Sequence, residues 1–183
     1  MTPQRSSPDR PATPSIHASA VAVAGQAILI RGPSGSGKSR LALDLLLAGR
    51  SGQIPATVLV GDDRIYLDAR EARIWARPGP QLAGLIEVRG LGIRHCDFVS
   101  EAPVGLVVDL DATDGARLPA EESLVTTVLD RQLPRIPVQS GFSALPLVLA
   151  ALITRPYASA QAPRHNDCLK GIGNHITRNV ATE

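Results

Sequence analysis

The chain has 183 residues, the size of one domain that can bury a substantial core. Its hydrophobic content of 44% is typical of a globular protein, and its 3% of aromatic residues argues against the ring platforms that bind single-stranded nucleic acid. The 19 basic and 17 acidic residues nearly balance and form no basic run. We therefore expect no nucleic-acid partner.

The cysteines and the apolar runs indicate in which cellular compartment the protein is expected. Cys96 and Cys168 lie far apart without metal-ligand spacing, so both are predicted to be ordinary reduced thiols. The apolar run 144–153 has ten residues and a proline, too few to cross a bilayer. We expect a cytoplasmic protein that has no membrane partner.

The first elements follow directly from residue pattern. Residues 1–14 are polar and rich in proline, which predicts a disordered segment. The run 20–32 predicts two short strands around Gly25-Gln26, because apolar residues flank a turn dipeptide. Residues 39–48 predict a helix with leucines on one face and Gly49 as its end.

The second half of the chain alternates apolar runs with turn residues, which predicts further short strands. We expect strands over 56–63, 105–111, 123–129 and 134–139, a hairpin over 64–76 that turns at 68–71, and a short helix with a glycine-rich bend in 79–95. A helix is predicted from Phe142 to Ile153, interrupted by Pro146. Residues 154–183 are polar and predict a flexible tail, so the folded domain is expected over 15–153.

A phosphate-binding motif stands between the second predicted strand and the first predicted helix. All its positions match G-x-x-x-x-G-K-[ST]: Gly32, Pro33, Ser34, Gly35, Ser36, Gly37, Lys38 and Ser39. The glycines allow backbone N–H groups to cradle phosphate oxygens, the lysine reaches the β- and γ-phosphates, and the final serine hydroxyl can hold Mg²⁺. Nucleotide binding is the strongest functional prediction from the residues alone.

The motif does not by itself identify the reaction. An N-K-x-D base-recognition motif is absent from the sequence, which disfavours a GTPase. Two predicted strands offer an acidic partner for the phosphate loop: one ends at Asp62-Asp63 and the other carries Asp109 and Asp111. In an ordinary phosphate-loop ATPase Asp109 would hold Mg²⁺ through water, whereas two adjacent aspartates allow one to act as a base.

Four segments together carry a family resemblance. They are IHASAVAV from Ile16, GPSGSGKSRLAL from Gly32, VLVGDD from Val58 and LIEVRGLGI from Leu85. In this order and spacing they closely resemble the catalytic domain of the HPr kinase/phosphorylase family, over about residues 15–153. The resemblance implies an α/β phosphate-loop kinase domain of the HPr kinase/phosphoenolpyruvate carboxykinase-like type, with a mixed, strand-rich sheet and flanking helices. It also implies the short form that consists of the kinase domain.

The resemblance implies roles for particular residues. Lys38 and its loop would bind the phosphates of ATP, and Ser39 with Glu87 would hold Mg²⁺. Asp63 would be the base that takes the proton from a serine of the phosphocarrier protein HPr, and the acid in the reverse reaction. A positioned carboxylate suits this chemistry because a serine hydroxyl is a weak nucleophile at neutral pH.

Two further positions match active-site residues of the family. His17 corresponds to the histidine before the first strand, and Arg117 to an arginine that could stabilise charge on the transferred phosphoryl group. The family also implies a role in regulating carbon metabolism through the phosphotransferase system, and assembly into a hexamer.

One departure from the family concerns the reverse reaction. The loop that the family uses for dephosphorylation carries arginines after Ile-Pro-Val, whereas residues 139–143 here are Gln-Ser-Gly-Phe-Ser. We therefore expect a kinase with weak or absent phosphorylase activity. Two alternatives stay open: a small-molecule kinase that uses the same phosphate loop, and a non-catalytic nucleotide-sensing module.

Overall fold

A computed structural model describes residues 15–155, so the predicted disordered segment 1–14 and nearly all of the predicted tail lie outside the described residues. Ten strands are present: β1 Ser19–Val23, β2 Gln26–Arg31, β3 Thr57–Gly61, β4 Ile65–Arg70, β5 Arg73–Pro78, β6 Leu85–Val88, β7 Gly92–His95, β8 Ala102–Leu110, β9 Val125–Val128 and β10 Arg131–Val138. Two α-helices, α1 Lys38–Arg50 and α2 Ala144–Ile153, accompany two short 3₁₀ helices, Pro80–Leu82 and Glu121–Leu124.

Eight strands form one mixed sheet. Its order is β3-β1-β2-β8-β10-β9, and the β4–β5 hairpin joins β8 through β5. The pairs β2–β8 and β8–β10 are parallel, whereas the β1–β2 and β1–β3 pairs are antiparallel. The strands β6 and β7 form a separate hairpin. This arrangement confirms the predicted α/β class with a strand-rich mixed sheet and flanking helices.

Alternation along the strands divides the core into two layers. On one face, side chains such as Val21, Ile30 and Val108 pack with both helices, including Leu45 of α1. On the opposite face, alternate residues such as Leu29, Val107 and Val60 pack with the β4–β5 hairpin, including Ile65 and Ile74. Residue parity within a strand therefore decides whether a side chain faces the helices.

The ends of the two helices differ from the predictions. Helix α1 continues through Gly49, where an added Cβ would lie 2.6–2.8 Å from atoms of Thr57, so this glycine allows close helix–strand packing. The helix ends instead before Gly52, which has a φ of 74°. Helix α2 begins at Ala144, and Pro146 does not interrupt it, because a proline in the first turn removes no intrahelical hydrogen bond.

Two predicted turns also lie elsewhere. The β4–β5 hairpin turns at Glu71-Ala72, whose φ values of 50° and 63° match a tight hairpin turn, rather than around 68–71. The predicted short helix in 79–95 is the 3₁₀ helix at Pro80–Leu82, and the glycine-rich bend is the turn between β6 and β7.

Candidate active site

A cleft of about 1000 Å³ opens between the phosphate loop, the segment after β3 and the β6–β7 hairpin. It brings together residues that are far apart in sequence, because the segment after β3 and the start of β1 meet at the N-terminus of α1. The polar and charged side chains that line it are His17, Ser34, Lys38, Ser39, Arg40, Asp62, Asp63, Glu87 and Arg89. Apolar residues including Leu43, Leu82 and Ile93 form the remainder of the wall.

The phosphate loop takes the conformation that its glycines allow. Gly35 and Gly37 have φ values of 80° and 96°, and Gly37 directly precedes α1. Gly32 lies where an added Cβ would come within about 3.0 Å of Leu110, so the loop packs tightly against the end of β8. The turn therefore directs backbone N–H groups and a helix N-terminus toward the cleft, which suits an anion.

Lys38 is held inside this loop. Its ammonium donates to the carbonyl oxygens of Gly32 at 3.0 Å and Pro33 at 2.8 Å, and the residue is buried. Burial lowers the pKa of Lys38, while the nearby charges of Asp62 and Asp63 raise it. An ammonium carries three donors, so one remains for a phosphate oxygen.

An orphaned polar atom shows that the loop fits a phosphate-bearing ligand. The Oγ of Ser36 is buried and has no hydrogen-bond partner among the described residues. Buried hydroxyl groups normally have partners, and an exception calls for a ligand or a rearrangement. Together with the positive-φ glycines and the buried lysine, this hydroxyl makes the loop a fitting site for nucleotide phosphates.

Asp62 is the centre of the hydrogen bonding in the cleft. It is 5% exposed and accepts hydrogen bonds from the hydroxyls of Ser19 and Ser39 on Oδ1, the latter at 2.9 Å. Its other oxygen, Oδ2, accepts from the backbone N–H of Glu87 at 3.1 Å. One buried carboxylate thus connects β1, the first turn of α1 and β6.

Asp63 differs from its neighbour in almost every respect. Its side chain is 64% exposed, and its φ of 68° turns it away from the direction of β3. The Nε2 atom of His17 lies 3.5 Å from Oδ1 of Asp63. His17 is held there because the backbone of Ile16 exchanges two hydrogen bonds with Ile65. An exposed carboxylate at a cleft wall is accessible to a substrate.

The oxygen atoms in the cleft fit a hard cation such as Mg²⁺ that also binds phosphates. Ser39 and Glu87 both line the cleft, and the Asp62 carboxylate lies behind them. Within residues 15–155, no group of three or more His, Cys, Asp or Glu side chains could hold a metal ion by itself. Mg²⁺ usually takes one or two protein oxygens and completes its shell with substrate phosphates and water.

Asp109, the alternative acidic partner from the sequence, lies elsewhere. It pairs in register with Arg31, and both side chains lie on the sheet face opposite α1. Arg31 binds both carboxylate oxygens at 2.7 Å, and Arg135 binds Oδ2. Burial alone would raise the pKa of the Asp109 carboxyl, but the hydrogen bonds from Arg31 and Arg135 outweigh it and hold that pKa below its usual value. Asp109 is not among the described residues that line the cleft, which disfavours the alternative of an ordinary phosphate-loop ATPase with Asp109 at the metal site.

The same network extends into the loop after β8. The guanidinium of Arg135 also binds Asp114 through Nη1 at 2.6 Å and Nη2 at 3.0 Å. Gly115 packs against the backbone of Gln139, where an added Cβ would lie 2.7 Å from the nitrogen. Arg117 follows in this loop, is exposed, and is not among the described residues that line the cleft. Its catalytic role remains a prediction.

Most of the site residues predicted from the sequence line the cleft. The sequence analysis did not identify Ser19 or the central position of Asp62 in the hydrogen bonding. Ser19 is the polar residue in an otherwise apolar strand, SAVAV, and it occupies the parity of Val21 and Val23 on the helix-facing side. A polar side chain at a core-facing position needs a partner, and this signal was available in the sequence.

Comparisons with known proteins agree with this geometry. The family model for the HPr serine kinase C-terminal domain matches residues 11–153. The chain belongs to the HPr serine kinase C-terminal domain family. A protein named HPr kinase/phosphorylase from Mycoplasma mycoides subsp. mycoides is 39% identical over 101 residues, covering 51% of this chain and 30% of its own length. The protein of that name from Geobacillus kaustophilus is 35% identical over 143 residues, covering 70% of this chain and 43% of its own length.

A solved structure shows the same fold. The HPr(Ser) kinase/phosphatase from Coxiella burnetii aligns with a TM-score of 0.60 and 23% identity, over 75% of this chain and 87% of that chain. The chain spans less than half the length of the curated HPr kinase/phosphorylase relatives given above. Within residues 15–155, no helix is long and apolar enough to cross a bilayer.

Proposed function

We propose that this protein is an ATP- and Mg²⁺-dependent protein-serine kinase that phosphorylates the phosphocarrier protein HPr and so regulates carbon metabolism in the cytoplasm. The observation that carries the proposal is the meeting of a phosphate loop and an exposed carboxylate, Asp63, in one cleft. Membership of the HPr serine kinase C-terminal domain family and the names of the relatives support HPr as the substrate.

The nucleotide phosphates would lie along the phosphate loop. Its backbone N–H groups and the remaining donor of Lys38 would neutralise charge on the terminal phosphates. Ser39 and Glu87 would hold Mg²⁺, which when bound supplies positive charge beside the β- and γ-phosphates. The binding half of the reaction therefore depends on residues at the start of α1 and in β6.

The acceptor serine would enter from the open side of the cleft. Asp63 is exposed there and can accept the proton of a serine hydroxyl as the serine oxygen attacks the γ-phosphorus of ATP. The bond from the γ-phosphorus to the β,γ-bridging oxygen breaks, and ADP leaves with that oxygen. His17 lies close enough to orient this carboxylate. Asp62 cannot take the same part, because its two oxygens already accept three hydrogen bonds below the surface.

Phosphoryl transfer to HPr tests the proposal directly. The purified chain would be incubated with HPr, Mg²⁺ and labelled ATP, and the modified residue of HPr would be mapped. We expect label on one serine. Nucleotide binding without any transfer to HPr would instead favour a nucleotide-sensing module, and transfer only to a small molecule would favour the other alternative. Assembly into a hexamer remains a prediction.

A further inference from the structure

Ser19 has no role in the reaction as described so far, yet it is among the most buried polar residues of the protein. Its exposure is 1%, and it stands at the helix-facing parity of β1, where Val21 and Val23 follow it. Its hydroxyl donates to Oδ1 of Asp62. A core-facing strand residue at this position would ordinarily be apolar. We attribute the serine to the need of the buried Asp62 carboxylate for a hydrogen-bond donor.

The backbone brings the two residues together. Ala20 of β1 pairs with Gly61 of β3, so Ser19 and Asp62 are the next residues along two antiparallel strands. A short side chain such as serine reaches directly across such a pair. The pairing of β1 with β3 therefore fixes this contact.

The Asp62 carboxylate in turn fixes Ser39. The Ser39 hydroxyl donates its proton to Oδ1 of Asp62, so the lone pairs of its oxygen are left for a cation. The other oxygen of Asp62 holds the backbone N–H of Glu87. The Asp62 carboxylate thus orients both Ser39 and Glu87, the residues that would hold Mg²⁺. Ser19 in turn fixes the orientation of that carboxylate.

We propose that Ser19 is a positioning residue of the magnesium–nucleotide site, acting through Asp62 on Ser39 and Glu87. Without the Ser19 hydroxyl, Oδ1 of Asp62 loses the hydrogen-bond donor that lies in the sheet. It keeps only the hydroxyl of Ser39, which would itself be a ligand of Mg²⁺. The carboxylate can then rotate, and the oxygen of Ser39 is no longer held for the cation. Outer-shell partners of metal ligands typically change affinity by about tenfold or more.

The inference rests on the proposed function, because it assumes that the cleft binds a nucleotide together with Mg²⁺. It concerns only the cation-dependent part of binding. The phosphate loop itself holds phosphates through Lys38 and backbone N–H groups, which Ser19 does not contact in any hydrogen bond of the described residues. Removal of the hydroxyl should therefore weaken binding with Mg²⁺ and leave metal-free binding nearly unchanged.

The experiment measures the affinity for a fluorescent ATP analogue, with Mg²⁺ and again with EDTA, for the native protein and for Ser19→Ala. We expect the Mg²⁺ complex to bind about tenfold more weakly to the variant, and the metal-free analogue to bind within about twofold of the native affinity. Ser19→Thr, which keeps a hydroxyl, should restore most of the difference. Thr57→Val is the matched control, because it removes another buried strand hydroxyl, one that donates only to the carbonyl of Pro55.

The outcomes separate the two claims. Equal loss with Mg²⁺ and with EDTA, or the same loss in Thr57→Val, would overturn the inference and leave Ser19 as a packing residue. Unchanged affinities in Ser19→Ala would overturn it as well. If the native protein bound the analogue no better with Mg²⁺ than with EDTA, the Mg²⁺-dependent function itself would fail, and the inference with it.

Discussion

Two clusters around an aspartate lie on opposite faces of the same sheet and are built from different partners. Asp62 accepts hydrogen bonds from two hydroxyls and one backbone N–H, and its charge interacts with that of the buried Lys38. Asp109 is bound by two guanidinium groups, from Arg31 and Arg135. Asp62 directly follows β3 and Asp109 lies one residue before the end of β8, so both carboxylates come near the end of a strand in the sequence.

The difference shows what makes a carboxylate available to a ligand. Neutral donors orient the Asp62 carboxylate but leave its negative charge in place, which favours a cation in the adjacent cleft. The two arginines neutralise Asp109, and Arg135 also binds Asp114, so this cluster connects β2, β8, β10 and the loop that follows β8. We therefore expect the Asp62 cluster to act in ligand binding and the Asp109 cluster to stabilise the fold.

The largest effect is expected from Lys38→Ala in the first cluster. The change removes the cation of the phosphate loop and the hydrogen bonds to Gly32 and Pro33. We expect phosphoryl transfer to be abolished and nucleotide binding to weaken, as measured by transfer of label and by titration with nucleotide. Turnover of ATP at the native rate in this variant would contradict the assignment of the loop.

Asp63→Asn should lower the rate of serine phosphorylation without lowering the affinity for nucleotide. The amide cannot accept the serine proton, so we expect phosphorylation to slow by on the order of 10²–10⁴ while nucleotide affinity is retained. Asp62→Asn is the comparison, because it disturbs the oxygen that accepts from Ser19 and Ser39 and should weaken Mg²⁺-dependent binding. If Asp62→Asn lost only chemistry and Asp63→Asn lost binding, the roles within the pair would be reversed.

The Asp109 cluster leads to a prediction about the reverse, phosphorylase reaction. The reverse reaction brings inorganic phosphate beside a phosphoserine, and two such anions require cations. Residues 139–143 carry no charge, and Arg135, the cation just upstream, is already bound to Asp109 and Asp114. We expect pyrophosphate release from phosphoserine-HPr and excess phosphate to be slower than the forward reaction by on the order of 10²-fold. Comparable rates would show that other cations, such as Arg117, are sufficient.

Asp109→Asn should affect stability and its pH dependence. Removing the Asp109 carboxylate leaves the guanidinium of Arg31 without its ion-pair partner, and Arg135 keeps only Asp114, so we expect a loss of about 3 kcal/mol at pH 7. The pKa of Asp109 is lowered in the folded state, so its contribution is complete above the unfolded-state value of about 3.9 and disappears as pH falls through the folded-state value. Urea unfolding of both proteins should give a difference that shrinks in acid. A constant difference down to pH 2 would contradict this account.

The sequence predicted the elements that depend on local pattern. The phosphate loop, the strands on either side of Gly25 and the helix that begins beside Lys38 all follow from glycine placement and apolar spacing. The fold class was also predicted, since the motifs occur in a characteristic order. These features need little information from distant parts of the chain.

Features that depend on packing between distant segments were not predicted. Gly49 reads as a helix end in sequence, but it remains helical because Thr57 of β3 packs against it. Asp109 was one of two acidic partners that the strand pattern offered for the phosphate loop, and only the register of β2 with β8 shows that it faces Arg31 on the other side of the sheet. The family resemblance favoured the Asp62-Asp63 pair, but local pattern alone does not show which sheet face carries α1 and so left Asp109 open.

A comparison of Asp63→Asn with Asp109→Asn in one experiment tests the central claim most directly: that the cleft carries out the reaction and that the Asp109 cluster stabilises the fold. The phosphorylation rate per folded molecule and the unfolding temperature would be measured for both variants and the native protein at pH 7. We predict that Asp63→Asn loses the rate and keeps the unfolding temperature, whereas Asp109→Asn lowers the unfolding temperature and keeps the rate. A rate lost in Asp109→Asn at full folding, or retained in Asp63→Asn, would contradict the account.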